Sequence, residues 1–148
     1  MKNKFQLCLV GLLLIIATGL AQAAEAESPK PFAEKHVILQ LSDQERESVV
    51  LDVANNLIKN YGGPDMIDIE IVTFGPGVRL LYADSPHKAR IDSLADNGVR
   101  FYVCKNTLDT MERTFGSRPK IDDSAIIVQA GVAHIIDQVD AGYTLIRP

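Results

Sequence analysis

The chain is short of cysteine, of histidine and of basic residues, and each shortage closes off a class of function. It has two cysteines in 148 residues, and Cys8 lies inside an apolar N-terminal run. Beyond that run Cys104 is the only thiol, so no internal disulfide can form there and cysteines cannot build a structural zinc site. His36, His87 and His134 are scattered, with no pair at zinc-ligand spacing. Each reads as a solvated surface side chain, with His87 the one that could approach Cys104 as a base. There is no Ser-hydrolase motif and no dense carboxylate cluster. Gly75-Pro76-Gly77 lacks the spacing of a dinucleotide fingerprint or a P-loop. No metal and no cofactor are therefore expected. Fifteen basic residues face 19 acidic ones, a net charge of −4. Without Lys2 and Lys4 the balance is 13 against 19, a net −6, which argues against a nucleic-acid partner.

The N-terminus is more explicit. Lys2 and Lys4 precede an apolar stretch from Phe5 to Leu20, and Ala21-Gln22-Ala23 comes next as a small-x-small site. That order reads as a secretory signal peptide over residues 1–23, cleaved after Ala23. The apolar stretch is short against the about 20 residues of a membrane span. The mature chain is thus expected to be exported, periplasmic or equivalent, and to meet a membrane only through the signal before cleavage. Residues 24–34, small, polar and broken by Pro29 and Pro31, read as a mobile leader. Residues 35–148 suit one domain.

Within that domain strand and helix patterns alternate. Lys35 to Ser42 holds the near-continuous apolar run of a strand covered on both faces. Ser42 with Glu45 makes a capping box, Asp43 being the alternative cap, and Val49 to Tyr61 continues at helical spacing until Gly62-Gly63-Pro64 ends it. Met66 to Phe74 is a second strand, and its uncharged half, Ile71 to Phe74, is the part expected in the core. Val78 to Ala83 reads as a short helical turn, and Ser85-Pro86 starts a helix that Gly98 closes. A strand ending at Cys104, a helix carrying Leu108, Met111 and Phe115, a strand over Ala125 to Val128, a helix over Val132 to Val139 and a last strand over Tyr143 to Ile146 complete the chain. Such alternation predicts an α/β fold around a mostly parallel sheet.

The chemistry gathers where the third strand meets its helix. Val99 to Val103 is bulky and strand-like, and Asn106 reads as the N-cap of the helix after it. Cys104 falls at the carboxyl end of the strand, the edge at which open α/β sheets bind ligands. Amides at a helix start favour a thiolate, and Lys105 adds a neighbouring positive charge. The alternative is a buried cysteine packed as a small hydrophobe. Lys105, Asn106 and Thr107, with Gly75, Pro76 and Gly77, are the candidate binding residues around the Cys104 nucleophile. Gly75-Pro76-Gly77 reads equally as a plain turn.

Phe74-Gly75-Pro76-Gly77, Ala83-Asp84-Ser85-Pro86, the run from Gly98 to Thr107, Ala130-Gly131-Val132 and the ending from Gly142-Tyr143 to Arg147-Pro148 together resemble the DsrE/DsrF-like family. The resemblance implies a three-layer α/β/α sandwich with a five-stranded, mainly parallel sheet. It implies that Cys104 accepts sulfur and hands it on as a persulfide, with a small sulfur donor or acceptor as partner. It also implies a homo-oligomer, a trimer or hexamer. The well-known sulfur-relay members are cytoplasmic, whereas this chain carries an export signal. A non-catalytic binding or assembly module on the same fold is the alternative function.

Overall fold

The computed structural model describes residues 29–148; the segment read as a signal peptide and the first part of the leader lie outside them. Strands and helices alternate without exception. They are β1 (Lys35–Leu41), α1 (Glu47–Asn60), β2 (Ile67–Thr73), α2 (Lys88–Asp96), β3 (Arg100–Cys104), α3 (Lys105–Phe115), β4 (Ala125–Val128), α4 (Gly131–Asp140) and β5 (Thr144–Ile146). The five strands form one sheet in the order β4-β3-β2-β1-β5. Every pairing is parallel.

That order follows from handedness. Successive right-handed crossovers through α1, α2 and α3 step from β1 to β4 in one direction and leave those helices on one face. The chain then returns through α4 to place β5 beside β1, which puts α4 on the other face. Packing agrees. Val50 and Leu51 of α1, Ile91 of α2 and Leu108 of α3 share a core with Leu39, Ile69, Ile71, Phe101 and Val103. Ile135 of α4 packs instead with Ile38, Val72, Tyr102 and Tyr143. The result is the expected α/β/α sandwich, with three helices above the sheet and one below.

Local signals account for the element ends. Asp43, rather than Ser42, caps a 3-10 turn, Gln44–Arg46, that leads into α1, its carboxylate accepting from the Glu45 N–H at 3.0 Å. Ser85 Oγ accepts from the His87 N–H at 3.2 Å ahead of α2. The turn expected from Val78 is a longer 3-10 segment, Gly75–Leu81, that takes in the whole Gly-Pro-Gly. Gly77 lets this segment lie against the end of β1: a Cβ there would stand 2.4 Å from the Leu41 carbonyl oxygen. From Pro29 onward the leader is tied to the domain, with the Lys30 ammonium donating to the Pro64 carbonyl at 2.6 Å and to the Asn97 carbonyl at 3.0 Å.

One layer departs from the sequence pattern. All seven residues of β2 are buried, including Asp68 and Glu70. They point toward the α4 face and meet Arg100, which donates to Asp68 at 2.9 Å and to Glu70 at 3.0 Å. Tyr143 donates its hydroxyl to Asp68 at 2.7 Å and accepts from Arg100 at 2.9 Å. His134, expected at the surface, lies 2.8 Å from Glu70 and against the ring of Tyr102. The burial of these charges opposes ionisation of Arg100, but its bonds to Asp68 and Glu70 outweigh that cost and raise its pKa. Burial and then the Asp68 bond push the Tyr143 hydroxyl up as well, so it stays a donor.

Candidate functional site

β3 runs into α3 with no loop between them. Cys104 is both the last strand residue and the N-cap position of α3, with extended backbone (φ −73°, ψ 114°). α3 therefore begins at Lys105, and Asn106 lies inside the first turn rather than capping it. Asn106 does a different job. Its N–H donates to the Gln129 carbonyl at 3.2 Å, and its side-chain oxygen accepts from Gln129 Nε2 at 2.7 Å. These two bonds lash the start of α3 to the end of β4.

The same lashing brings a second helix start to the sulfur. β4 lies beside β3, with Val128 opposite Cys104, and α4 begins three residues later at Gly131. Gly131 packs closely here: a Cβ there would stand 3.3 Å from the Cys104 Cβ and 3.4 Å from Val72 Cγ1, so those neighbours would have to give way by a few tenths of an ångström. Cys104 thus sits between the N-termini of α3 and α4. It is buried, with 6% of its surface exposed. Burial alone would raise the thiol pKa. The N–H groups of Gly131 and Thr107, the Thr107 hydroxyl and the Asn106 N–H all favour the thiolate, and together they bring it below the ordinary value of 9.0.

The sequence assigns part of that effect to Lys105. In the folded chain the Lys105 ammonium is paired with Asp109, one turn along α3, at 2.8 Å; the groups that lower the thiol are amides and a hydroxyl. His87 is likewise engaged elsewhere, 3.6 Å from the Glu47 carboxylate. Glu47 is itself shifted up, by burial first, against the opposing fields of His87 and Arg79.

Gly-Pro-Gly divides its roles. Gly77 is a packing residue, held against the Leu41 carbonyl. Gly75 takes a positive φ of 54° and donates its N–H to Thr107 Oγ1 at 3.0 Å. Thr107 therefore links the Gly75 turn to the Cys104 sulfur. Gly75, Pro76, Asn106 and Thr107 also line a groove of about 840 Å³ between α3 and the 3-10 segment, at the carboxyl edge of the sheet. Its other walls come from Arg79, Tyr82, Met111, Phe115 and neighbours, while Cys104, Lys105 and Gly77 are not among its lining residues. The structure thus brings Cys104, Asn106, Thr107 and Gly75 together and leaves Lys105 and Gly77 with separate tasks. Sequence reasoning missed Gly131 and Arg79. Gly131 had a findable signal, since Ala130-Gly131 comes after β4 just as Lys105 comes after β3.

Among curated proteins none matches. Three chains of solved structures do match. One is a protein of unknown function, MTH1491 from Methanobacterium thermoautotrophicum, similar at 28% identity and a TM-score of 0.66, over 78% of this chain and 100% of that one. The model of the DsrE/DsrF-like family matches residues 16–148, which takes in every strand and helix of the sandwich, and the chain belongs to that family.

Proposed function

We propose that the protein is an exported sulfur-handling protein in which Cys104 accepts a sulfur atom as a persulfide and passes it on. The observation that carries this reading is the convergence of two helix starts on the Cys104 thiol, with the N–H groups of Gly131, Thr107 and Asn106 and the Thr107 hydroxyl favouring its anion. The thiolate attacks the outer sulfur of a donor persulfide. A new S–S bond forms on Cys104, the donor's own S–S bond breaks, and the electron pair leaves on the donor's thiolate, so no oxidant or reductant is consumed. The same donors would hold the terminal sulfur once it is charged.

Family membership supports the sulfur chemistry. The basic, apolar and small-x-small order of residues 1–23 supports export. The resemblance supports a homo-oligomer, and so does an exposed apolar stripe on α4, where Val132, Ile136 and Val139 are 52%, 57% and 42% exposed. A second reading, a binding or assembly module with a packed cysteine, is favoured by the 6% exposure of Cys104.

Treatment of the purified chain with glutathione persulfide, then peptide mass spectrometry, separates the two. The carrier reading expects one added sulfur on the Cys104 peptide, absent in Cys104→Ser and released to a small thiol acceptor. An unmodified Cys104 in the native protein, together with modification after unfolding, establishes the packed cysteine instead. Intact mass of the exported protein should give a chain starting near Ala24, and light scattering should give a multiple of its mass.

A further inference from the structure

We infer that the groove beside Cys104 binds a small organic anion with an aromatic or branched apolar body, and that this body belongs to the sulfur donor or acceptor. The second half of that statement rests on the sulfur-carrier reading; the binding step stands without it.

Charge is the first argument. The protein is acidic, with 19 acidic residues against 15 basic. Yet none of the twelve residues lining the groove is acidic, and Arg79 is the one charged side chain among them. Arg79 is exposed, and among the described residues its guanidinium forms no hydrogen bond or ion pair. Its field does reach Glu47 and Tyr82, next to it in an adjoining cleft. Two other arginines of this region are already committed, Arg118 to Asp109 and Glu112 and Arg113 to the Thr110 hydroxyl. An uncommitted guanidinium suits a planar carboxylate or sulfonate, which it can grip with two parallel N–H bonds.

Shape and apolarity are the second. Tyr82, Met111, Phe115, Pro76 and Pro119 provide an apolar surface around the arginine. The Tyr82 hydroxyl is turned onto Met111 Sδ at 3.3 Å, which leaves the ring itself as groove wall. Phe115 is 75% exposed on the last turn of α3. A phenylalanine so bare, in a groove that also holds an unpaired arginine, leaves apolar area that a ligand ring or branched chain would cover. The volume, about 840 Å³, lies in the range of small-molecule sites. Thr107 borders both the groove and the sulfur of Cys104, so the ligand lies alongside the reactive joint.

The test is amide NMR of the purified chain titrated with phenylacetate, and with phenylacetamide as its uncharged counterpart. Saturable shifts are expected at Gly75, Asn106, Thr107, Thr110 and Met111. Arg79→Gln should weaken phenylacetate by about tenfold, the loss expected for one charge-assisted contact. Phenylacetamide should bind the wild type no better than phenylacetate binds Arg79→Gln. Phe115→Ala should weaken both probes, and Cys104→Ser neither. Absence of saturable shifts, shifts centred on the exposed stripe of α4, or an Arg79→Gln variant that binds phenylacetate as the wild type does would each overturn the inference. Phenylacetate binding in a chain that never forms a persulfide would keep the groove and remove the carrier; a persulfide without binding would do the reverse.

Discussion

Replacing Thr107 by Val exchanges one hydroxyl for a methyl and keeps the branching at Cβ, so helix propensity and packing volume barely change. Two bonds disappear. The Gly75 N–H, half-buried, loses the oxygen that accepts it at 3.0 Å. An amide left without a partner costs about 1–2 kcal/mol in such a setting, which should lower Tm by roughly 4–10 °C in a domain of this size. The Cys104 sulfur loses the Thr107 hydroxyl donor, while the N–H groups of Gly131, Thr107 and Asn106 stay in place. The thiol pKa should therefore rise part of the way back toward 9.0. Iodoacetamide labelling across pH, read beside melting curves, reports both effects. Thr107→Val should need a higher pH to reach the same labelling rate, and Thr107→Ser should restore both rate and Tm. A pH profile that is identical in wild type and Thr107→Val refutes the claim that this hydroxyl stabilises the thiolate.

Three further outcomes rest on the same geometry. Arg100→Met leaves Asp68 and Glu70 buried without their cation, and urea unfolding should show a loss of about 3–5 kcal/mol; adding Asp68→Asn and Glu70→Gln should recover part of it. Gly77→Ala drives a Cβ to 2.4 Å from the Leu41 carbonyl, so the 3-10 segment must shift, at a cost of about 3 kcal/mol in the same assay. Because the folded pKa of Cys104 is depressed below 9.0, its ionisation stabilises the fold above the ordinary thiol value and that contribution is lost as pH falls through the folded one. The stability difference between wild type and Cys104→Ala should thus grow as pH climbs toward 9.0, and a difference that stays flat or shrinks over that climb contradicts a stabilised thiolate.

The architecture was legible in the sequence because its signals are local. Gly62 and Gly98 fall two residues beyond the helices they end, Ser85 and Asp43 three and four residues ahead of the helices they announce, and the apolar spacing between them distinguishes strand from helix. The joint at Cys104 was legible for the same reason. The buried ion network was not. Asp68 and Glu70 alternate with isoleucines, which is also how a half-exposed strand looks, and Arg100 lies 32 and 30 residues away from them. His134 joins that network from 64 residues beyond Glu70. The cap at Cys104 was not legible either, because a cysteine in the cap position carries no familiar signature whereas Asn106 does. The donor from Gly131 depends on β4 lying next to β3, a fact of strand order that no local pattern holds.

The return of α4 across the sheet also sets a clock. Among the described residues β1 is the first strand to leave the ribosome, yet its outer neighbour is β5, so Val37 waits for Thr144 and Leu39 for Ile146. At ordinary synthesis speeds those hundred or so residues take roughly 5–20 s. Throughout that interval the outer edge of β1 offers free backbone donors and acceptors next to Ile38 and Leu39, both fully buried in the finished molecule. An open apolar edge is a template for pairing with another nascent chain. The final few residues are consequently a closing clasp: a chain that stops before Thr144 leaves that edge exposed for good, and intermolecular strand pairing rather than simple loss of stability is how such a truncation would fail.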